Sequence, residues 1–251
     1  MDQCKVLIGV SSGQLGRWVS FFDSLVHLAA PPGTQIVMAK SGSCYVNENR
    51  EAISEQALQH GFTHVLYLDD DHVLAPQTLM QLLRRDTDIV SGHYLKREQP
   101  FVSVAYDKEL DDGAVAPRFL SSFEHSLQSV KAVGAGCLLV RTDVLRKLER
   151  PWWRREHLGE DVGFCQRARV AGYEVFVDLD VPVGHTFSAV LWPVYKQDGP
   201  EAGSWWTVML SGRPGDPPMA EWPQITPAQA APASGIVTPG GNGGRPMELV
   251  P

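Results

Sequence analysis

Val65-Leu66-Tyr67-Leu68-Asp69-Asp70-Asp71-His72 is an apolar run that ends in three consecutive carboxylates. A short run of valine, leucine and tyrosine residues predicts a buried strand of an α/β sheet. The acids then stand at the C-terminal edge of that strand, where open α/β sheets bind ligands. Adjacent carboxylates repel one another unless a cation lies between them, so the cluster favours a divalent ion such as Mg²⁺ or Mn²⁺. The alternative is a solvated turn in which Asp70 or Asp71 caps the next helix.

The segments around this stretch alternate between strand and helix patterns, which is typical of α/β folds. Gly134 and Gly136 weaken one of the predicted strands, which indicates that a ligand or another backbone approaches it closely. Strands are predicted at Lys5–Val10, Ile36–Ala39, Asp88–Gly92, Val133–Val140 and Tyr173–Leu179, and helices at Trp18–Leu28, Val46–His60, Thr142–Leu148 and Val162–Ala171.

The composition limits the class of protein. The chain has 251 residues and a formal charge of −7, which argues against a non-specific nucleic-acid coat because such a coat needs a basic face. The four cysteines lack the paired spacing of metal ligands, so reduced thiols and a cytoplasmic location are expected. The first residues lack a signal-peptide pattern, and no segment is long enough to span a membrane, so we predict a soluble protein without membrane insertion.

Residues 212–251 differ from the rest of the chain. They hold nine of its 18 prolines and seven of its 23 glycines, a composition that does not support a packed core. We therefore predict one catalytic domain over residues 1–211 and an extended or disordered tail over residues 212–251. The regular pattern of strands and helices already fades after Ser188.

Cations near other predicted element ends are further candidates for a ligand site. Arg50 lies at the start of a helix, where it either contacts a phosphate or pairs with Glu51 on the surface. Lys96 and Arg97 follow a strand end and either neutralise a diphosphate or belong to a solvated loop.

The segment from Trp152 to Asp161 carries candidates for catalysis. Glu160 and Asp161 stand at the start of a predicted helix, where two acids either complement the helix dipole or supply a general base. Trp152 and Trp153 offer a flat apolar platform beside them, unless they belong to the core. His185 follows the last predicted strand and is either a metal ligand or a structural histidine.

Taken in order, these motifs resemble the GT-A glycosyltransferases. The resemblance is strongest to family-2-like members, in particular the small stand-alone enzymes of bacteria and bacteriophages, and it covers residues 5–188. It rests on Asp69-Asp70-Asp71, Gly134-Ala135-Gly136 with Arg141, Gly159-Glu160-Asp161-Val162 with Phe164, Cys165, Arg167, Ala168 and Gly172, and Val183-Gly184-His185.

The resemblance implies a Rossmann-like, mostly parallel sheet and a nucleotide-sugar donor, with a UDP-sugar expected. It implies that the triplet is a DXD motif in which Asp69 and Asp71 hold Mn²⁺ or Mg²⁺ against the donor diphosphate, while Asp69 and Asp70 contact the donor. His185 becomes a further metal ligand. The remaining roles fall on Asp161 as the base of an inverting reaction with Glu160 beside it, on Ser11, Arg50, Lys96 and Arg97 as donor contacts, and on Trp152 and Trp153 as acceptor contacts.

The sequence lacks the Gln-x-x-Arg-Trp box of processive members, which favours transfer of a single sugar. The resemblance to phage enzymes makes a hydroxymethylated base in phage DNA a candidate acceptor, modified in the host cytoplasm, with glycans and small molecules as the alternatives. Two other functions stay open. One is a metal-dependent nucleotidyltransferase or phosphohydrolase, and the other is a non-catalytic sugar-nucleotide binding module.

Overall fold

A computed structural model of the chain describes residues 3–12, 19–43, 45–97, 101–109, 115–117, 126–155, 159–187, 189–210 and 220–223. In the first half the elements are β1 (Lys5–Ser11), α1 (Val19–Val26), β2 (Gln35–Ser41), α2 (Val46–Gln59), β3 (His64–Asp69), β4 (His72–Leu74), α3 (Thr78–Arg84) and β5 (Ile89–His93). In the second half they are β6 (Ala105–Glu109), β7 (Val115–Pro117), β8 (Leu127–Val130), β9 (Ala132–Val133), β10 (Cys137–Arg141), α4 (Thr142–Lys147), α5 (Glu160–Val170), β11 (Val175–Phe187), β12 (Ala189–Lys196), β13 (Ser204–Leu210) and β14 (Ala220–Pro223).

The main sheet has the strand order β14-β13-β12-β11-β5-β10-β3-β1-β2, and β4 and β8 also pair with β11. Strands β2, β1 and β3 are parallel, as are β5 and β11. Strand β10 runs antiparallel between β3 and β5, so the sheet is mixed. The predicted α/β class is confirmed. The sheet contains the predicted parallel strand pairs and, in addition, antiparallel pairs that were not predicted.

Helices cover both faces of the sheet, which explains why the four central residues of β3, Val65 to Leu68, are apolar. Its Val65 and Tyr67 belong to the core cluster that includes residues of α2, α4 and α5. Leu66 and Leu68 belong to the cluster that includes residues of α1 and α3. A strand buried on both faces has no solvent-facing side chains, so its sequence loses the polar alternation of a half-exposed strand.

The structure corrects the sequence-based boundaries after residue 130. The predicted strand Val133–Val140 is two strands, because a turn at residues 134–136 separates β9 from β10. The regular structure does not fade after Ser188, since β12 and β13 extend the sheet as an antiparallel ribbon. Within the predicted tail, Ala220–Pro223 pairs with β13 as β14, and the rest of residues 212–251 lies outside the described residues.

Strands β6, β7 and β9 form a second, three-stranded sheet in the order β7-β6-β9. Among the described residues, no helix combines the length and the apolar character needed to cross a bilayer.

Candidate metal and active site

The site lies where β3 ends, and the backbone explains how its residues meet. Strand β3 ends at Asp69, and Asp70 and Asp71 form a turn into the short strand β4. Strand β4 pairs antiparallel with β11 in a register that sets His72 opposite His185. The chain reversal after the acid triplet therefore brings together two histidines that are 113 positions apart in the sequence (185 − 72).

Asp71, His72 and His185 form a group whose potential ligand atoms lie within 4.8 Å of one another. Nδ1 of His72 is 3.2 Å from Oδ1 of Asp71, and Nε2 of His185 is 3.5 Å from Oδ2 of Asp71. The two imidazole rings stack with their centroids 4.6 Å apart. Two of the predicted metal ligands, Asp71 and His185, are therefore adjacent, and His72 joins them.

The hydrogen bonding of the two histidines fits a bound cation. Nδ1 of His185 lies 2.7 Å from the Leu95 carbonyl oxygen, to which it donates, which leaves the Nε2 lone pair directed at a carboxylate. His72 is 1% exposed; its Nδ1 faces Oδ1 of Asp71 at 3.2 Å, and its Nε2 has no hydrogen bond among the described residues. Buried polar atoms without a partner are costly. An ion bound by both imidazoles would satisfy one ring nitrogen of His72, and the bond from His185 to Leu95 is of the kind that orients a ligating histidine in metal sites.

The donor set bears on the identity of the ion. Two imidazole nitrogens and one carboxylate suit a transition metal better than Mg²⁺, which prefers oxygen ligands. Burial by itself would raise the pKa of Asp71, but its contacts with His185 and His72 outweigh burial and hold that pKa well below the usual range. Asp71 therefore stays ionised and available as a ligand at neutral pH.

Gly134 and Gly136 are needed because aromatic side chains pack directly on the backbone there. A Cβ atom on Gly136 would lie 2.4 Å from Cε1 of His72, and one on Gly134 would lie 2.2 Å from the Tyr94 hydroxyl oxygen. A close approach is present as predicted, but the side chains of Tyr94 and His72 make it rather than a ligand or another backbone. The Gly136 N–H also donates to the Tyr94 hydroxyl at 3.0 Å.

Asp69 forms an ion pair with Arg50 and is not part of the group of candidate metal ligands Asp71, His72 and His185. Nη2 of Arg50 donates to both carboxylate oxygens of Asp69, at 2.9 and 3.1 Å. Nη1 of Arg50 forms an ion pair with Glu160. Arg50 is 3% exposed and its terminal nitrogens contact two carboxylates of the chain, so the alternative of a surface pair with Glu51 is wrong. Asp69 as a metal ligand and Arg50 as a donor contact stay predictions.

Arg50 joins the end of β3 to the start of α5. Burial alone would lower its pKa, but Asp69 and Glu160 outweigh burial and raise that pKa above the usual value. The guanidinium also lies 5.5 Å from the ring centroid of Trp153. Arg50 is therefore a permanently charged link between the predicted donor side of the site and the predicted catalytic helix.

Asp161 follows Glu160 in the first turn of α5 and is half-buried. Its Oδ1 accepts a hydrogen bond from the Val162 N–H at 2.8 Å. Burial raises the pKa of Asp161, and the nearby charge of Arg50 only partly opposes that effect. A half-buried carboxylate with a raised pKa has the character of a general base or acid.

Tyr94 lies between the two groups. Its ring contacts those of His72 and His185, with centroids 4.6 and 5.7 Å away. Burial raises the pKa of Tyr94 well above its usual value, and the charges of Asp69 and Asp161 add to that rise. The hydroxyl therefore stays protonated, and Tyr94 packs the metal candidates against the carboxylates around Arg50.

The other predicted donor contacts border this site in different ways. Ser11 is the last residue of β1, beside Asp69 in the sheet, and its buried hydroxyl has no hydrogen bond among the described residues. Asp70 is half-buried in the turn before β4. Arg97 pairs with Asp71 at 2.9 Å and is 45% exposed, whereas the Lys96 ammonium lies 5.6 Å from the Tyr106 ring centroid.

Trp152 and Trp153 are core residues, which corrects the prediction of an acceptor platform. They are 4% and 1% exposed, so neither ring presents a face to a ligand. Nε1 of Trp152 donates to the Leu145 carbonyl oxygen at 2.8 Å, and Nε1 of Trp153 donates to the Ser54 hydroxyl at 2.9 Å. The Trp153 ring stacks on Phe164 of α5, so it packs against the core side of that helix.

No family model matches the sequence, and no curated protein is similar to it. Among solved structures the chain is similar to "A197 from STIV", at 18% identity and a TM-score of 0.55, over 75% of this chain and 90% of that chain. It is also similar to "GalNAc-T7 with UDP, GalNAc and Mn2+", at 9% identity and a TM-score of 0.50, over 74% of this chain. The chain has a GT-A-like fold. It spans 44% of the GalNAc-T7 chain, and at these identities the likeness concerns the fold alone.

Sequence reasoning missed His72 and Tyr94. His72 directly follows the acid triplet, and its position next to three candidate ligands was the available signal. Tyr94 carried no signal, because its role depends on two glycines that are about 40 positions away in the chain and pack against its ring.

Proposed function

We propose that this protein is a metal-dependent glycosyltransferase that moves a single sugar from a nucleotide-sugar donor, with a UDP-sugar as the first candidate, to an acceptor hydroxyl. The observation that carries the proposal is the meeting of the Asp71, His72 and His185 group with the Arg50-anchored pair Glu160 and Asp161 at the end of β3. The GT-A-like fold supports it, since GalNAc-T7 was solved with UDP, GalNAc and Mn²⁺.

In this proposal Asp71, His72 and His185 hold the ion. When bound, a divalent metal supplies positive charge that stabilises the negative charge developing on a leaving diphosphate. Arg97, half-exposed beside Asp71, adds a mobile cation on the same side. The Ser11 hydroxyl, at the end of the neighbouring strand β1, contacts the nucleotide.

Asp161 acts as the base in the proposed reaction. The acceptor oxygen bonds to the anomeric carbon as its proton passes to Asp161, and the bond from that carbon to the diphosphate oxygen breaks with inversion. A positioned base of this kind contributes about 10²–10⁴-fold to the rate. Glu160, which is paired with Arg50, fixes the first turn of α5 and so the position of Asp161.

The acceptor is proposed only as a hydroxyl compound. A hydroxymethylated base in phage DNA stays a candidate, together with glycans and small molecules, but the buried tryptophans remove the stacking platform that favoured it. A screen of these acceptors with one donor identifies the class by transfer of the labelled sugar.

The test is a thermal-shift panel of nucleoside diphosphates and nucleotide sugars with and without Mn²⁺. We expect one nucleotide to stabilise the protein in a Mn²⁺-dependent way. At about 100 times its dissociation constant a ligand adds about 2.7 kcal/mol, which corresponds to about 5–11 °C for a domain of this size. The shift should vanish in His72→Ala and persist in His27→Ala, which alters an exposed histidine that follows α1.

Product analysis then separates the candidate reactions. Release of a nucleoside diphosphate with a glycosylated acceptor supports the proposal, whereas pyrophosphate or phosphate release indicates nucleotidyl transfer or phosphohydrolysis. Mn²⁺-dependent binding without turnover on any acceptor indicates a binding module. Absence of any nucleotide-dependent shift refutes the donor site.

A further inference from the structure

A cation of the chain itself contacts the candidate metal ligands Asp71, His72 and His185. Nη1 of Arg97 lies 2.9 Å from Oδ2 of Asp71. The same carboxylate oxygen faces Nε2 of His185 at 3.5 Å. Asp71 is the one carboxylate in this group, so a guanidinium and a divalent ion are attracted to the same negative charge.

The segment that carries Arg97 is anchored beside the same group. The Leu95 carbonyl oxygen accepts the hydrogen bond from Nδ1 of His185 at 2.7 Å. The Lys96 N–H donates to the Val102 carbonyl oxygen at 2.9 Å. The backbone that precedes Arg97 is therefore held next to His185, which keeps the guanidinium within reach of the carboxylate.

The two members of this ion pair differ in exposure. The Arg97 side chain is 45% exposed, whereas that of Asp71 is 19% exposed. Water can therefore solvate the guanidinium when it leaves, while the carboxylate stays in the site. Because an ion pair with one well-exposed member contributes little, Arg97 raises the cost of binding another cation to Asp71 by a factor of about five or less.

We propose that Arg97 and the divalent ion compete for Asp71, and that the released guanidinium then binds the diphosphate of the donor. When Asp71 and His185 hold an ion, two positive charges lie beside the guanidinium, and the more exposed of the two cations moves away. The guanidinium is a planar fork of donors that binds two phosphate oxygens at once. The inference rests on the metal group of the proposed function but does not depend on sugar transfer.

This competition couples the binding of the ion to the binding of the diphosphate. While Arg97 pairs with Asp71, its guanidinium is not available to a diphosphate. Once released, it adds its charge to that of the ion. Because such coupling is reciprocal, the diphosphate strengthens ion binding by the same factor by which the ion strengthens diphosphate binding.

The first test is calorimetric titration of the full chain with Mn²⁺ alone. Arg97→Met removes the charge from a long side chain, and it should bind Mn²⁺ about fivefold more tightly than the wild type because the competing cation is lost. Arg97→Lys, which keeps the charge, should restore the wild-type affinity. The control is Lys96→Met, which removes the same charge from a side chain that lies over the Tyr106 ring, and its affinity should match that of the wild type.

The second test is titration with inorganic diphosphate at saturating Mn²⁺. Arg97→Met should bind diphosphate about tenfold more weakly than the wild type, because a charge-assisted hydrogen bond is lost. Lys96→Met again serves as the control. The two effects of Arg97→Met have opposite signs, whereas a variant that merely disturbed the site would weaken both ligands.

The outcomes separate this inference from the proposed function. Unchanged or weaker Mn²⁺ binding in Arg97→Met, with Mn²⁺ binding still lost in His72→Ala, overturns the competition alone. Tighter Mn²⁺ binding with unchanged diphosphate binding overturns the release of Arg97 to the donor. Mn²⁺ binding that is absent from the wild type, or unaffected by His72→Ala, overturns both the competition and the proposed function.

Discussion

Replacement of Arg50 by methionine should destabilise the protein and disorganise the proposed site together. Arg50 is 3% exposed, whereas Asp69 and Glu160 are 31% and 17% exposed, so both carboxylates keep some solvent when the cation is lost. Removing one partner of a buried ion pair costs about 3–5 kcal/mol, and this partial exposure favours the lower end, about 3 kcal/mol. For a chain of this length we expect Tm to fall by about 6–12 °C.

The control for Arg50→Met is Arg146→Met. Arg146 pairs with Asp143 three residues before it, and the two side chains are 51% and 76% exposed. Such surface pairs contribute about 1 kcal/mol or less. Both variants are measured by urea and thermal unfolding, and equal losses in the two would refute the buried-link reasoning.

The pH dependence of the Arg50→Met deficit tests its electrostatic origin. Without the cation, the charges of Asp69 and Glu160 act on Asp161 unopposed, so the folded-state pKa of Asp161, which is already raised, rises further. An acid whose pKa is higher in the folded state than in the unfolded state costs no folding stability at low pH, where it is protonated in both states. The cost appears as the pH rises and the carboxylate must ionise in the folded protein. The deficit should therefore be larger at pH 8 than at pH 5. The double variant Arg50→Met with Glu160→Gln should lose about 1 kcal/mol less stability than the sum of the losses in the two single variants. A pH-independent deficit would show that lost packing, and not charge, is the cause.

Three further predictions concern the metal group and the proposed base. His72→Ala should weaken Mn²⁺ binding at least about 100-fold in calorimetry, more than loss of an outer-shell partner does, and unchanged affinity would remove His72 from the ligand set. Gly136→Ala should destabilise the fold by about 1–3 kcal/mol and weaken Mn²⁺ binding, because its Cβ would lie 2.4 Å from the His72 ring. The control Gly42→Ala, with no atom within 4 Å of the added carbon, should change neither stability nor Mn²⁺ binding. Asp161→Asn should lower turnover about 10²–10⁴-fold with nucleotide binding intact, and a wild-type rate in this variant would reassign the base. In the wild type, the raised pKa of Asp161 should place the acidic loss of activity above the pH at which an ordinary aspartate titrates.

Local sequence patterns were sufficient for most of the first half of the fold, but they did not predict the short strand β4. The apolar run that forms β3 is buried on both faces, and alternating helices and strands surround it, so both its presence and its class could be predicted. Strands β12 and β13 were not predicted, because an antiparallel ribbon at the sheet edge is specified by pairing with β11 rather than by a strong local pattern.

The same holds for the candidate site, part of which could be predicted from the sequence and part of which could not. The sequence by itself determined that carboxylates follow a buried strand and that a Glu-Asp pair begins a helix, because both follow from residue order and periodicity. Only the tertiary structure decided which groups share which partner. The register of β4 on β11 brings His72 to His185, and the buried Arg50 pairs with both Asp69 and Glu160. Residue types fix what a side chain can bind, but contacts between residues far apart in the chain are fixed by packing and strand register, which local patterns do not encode.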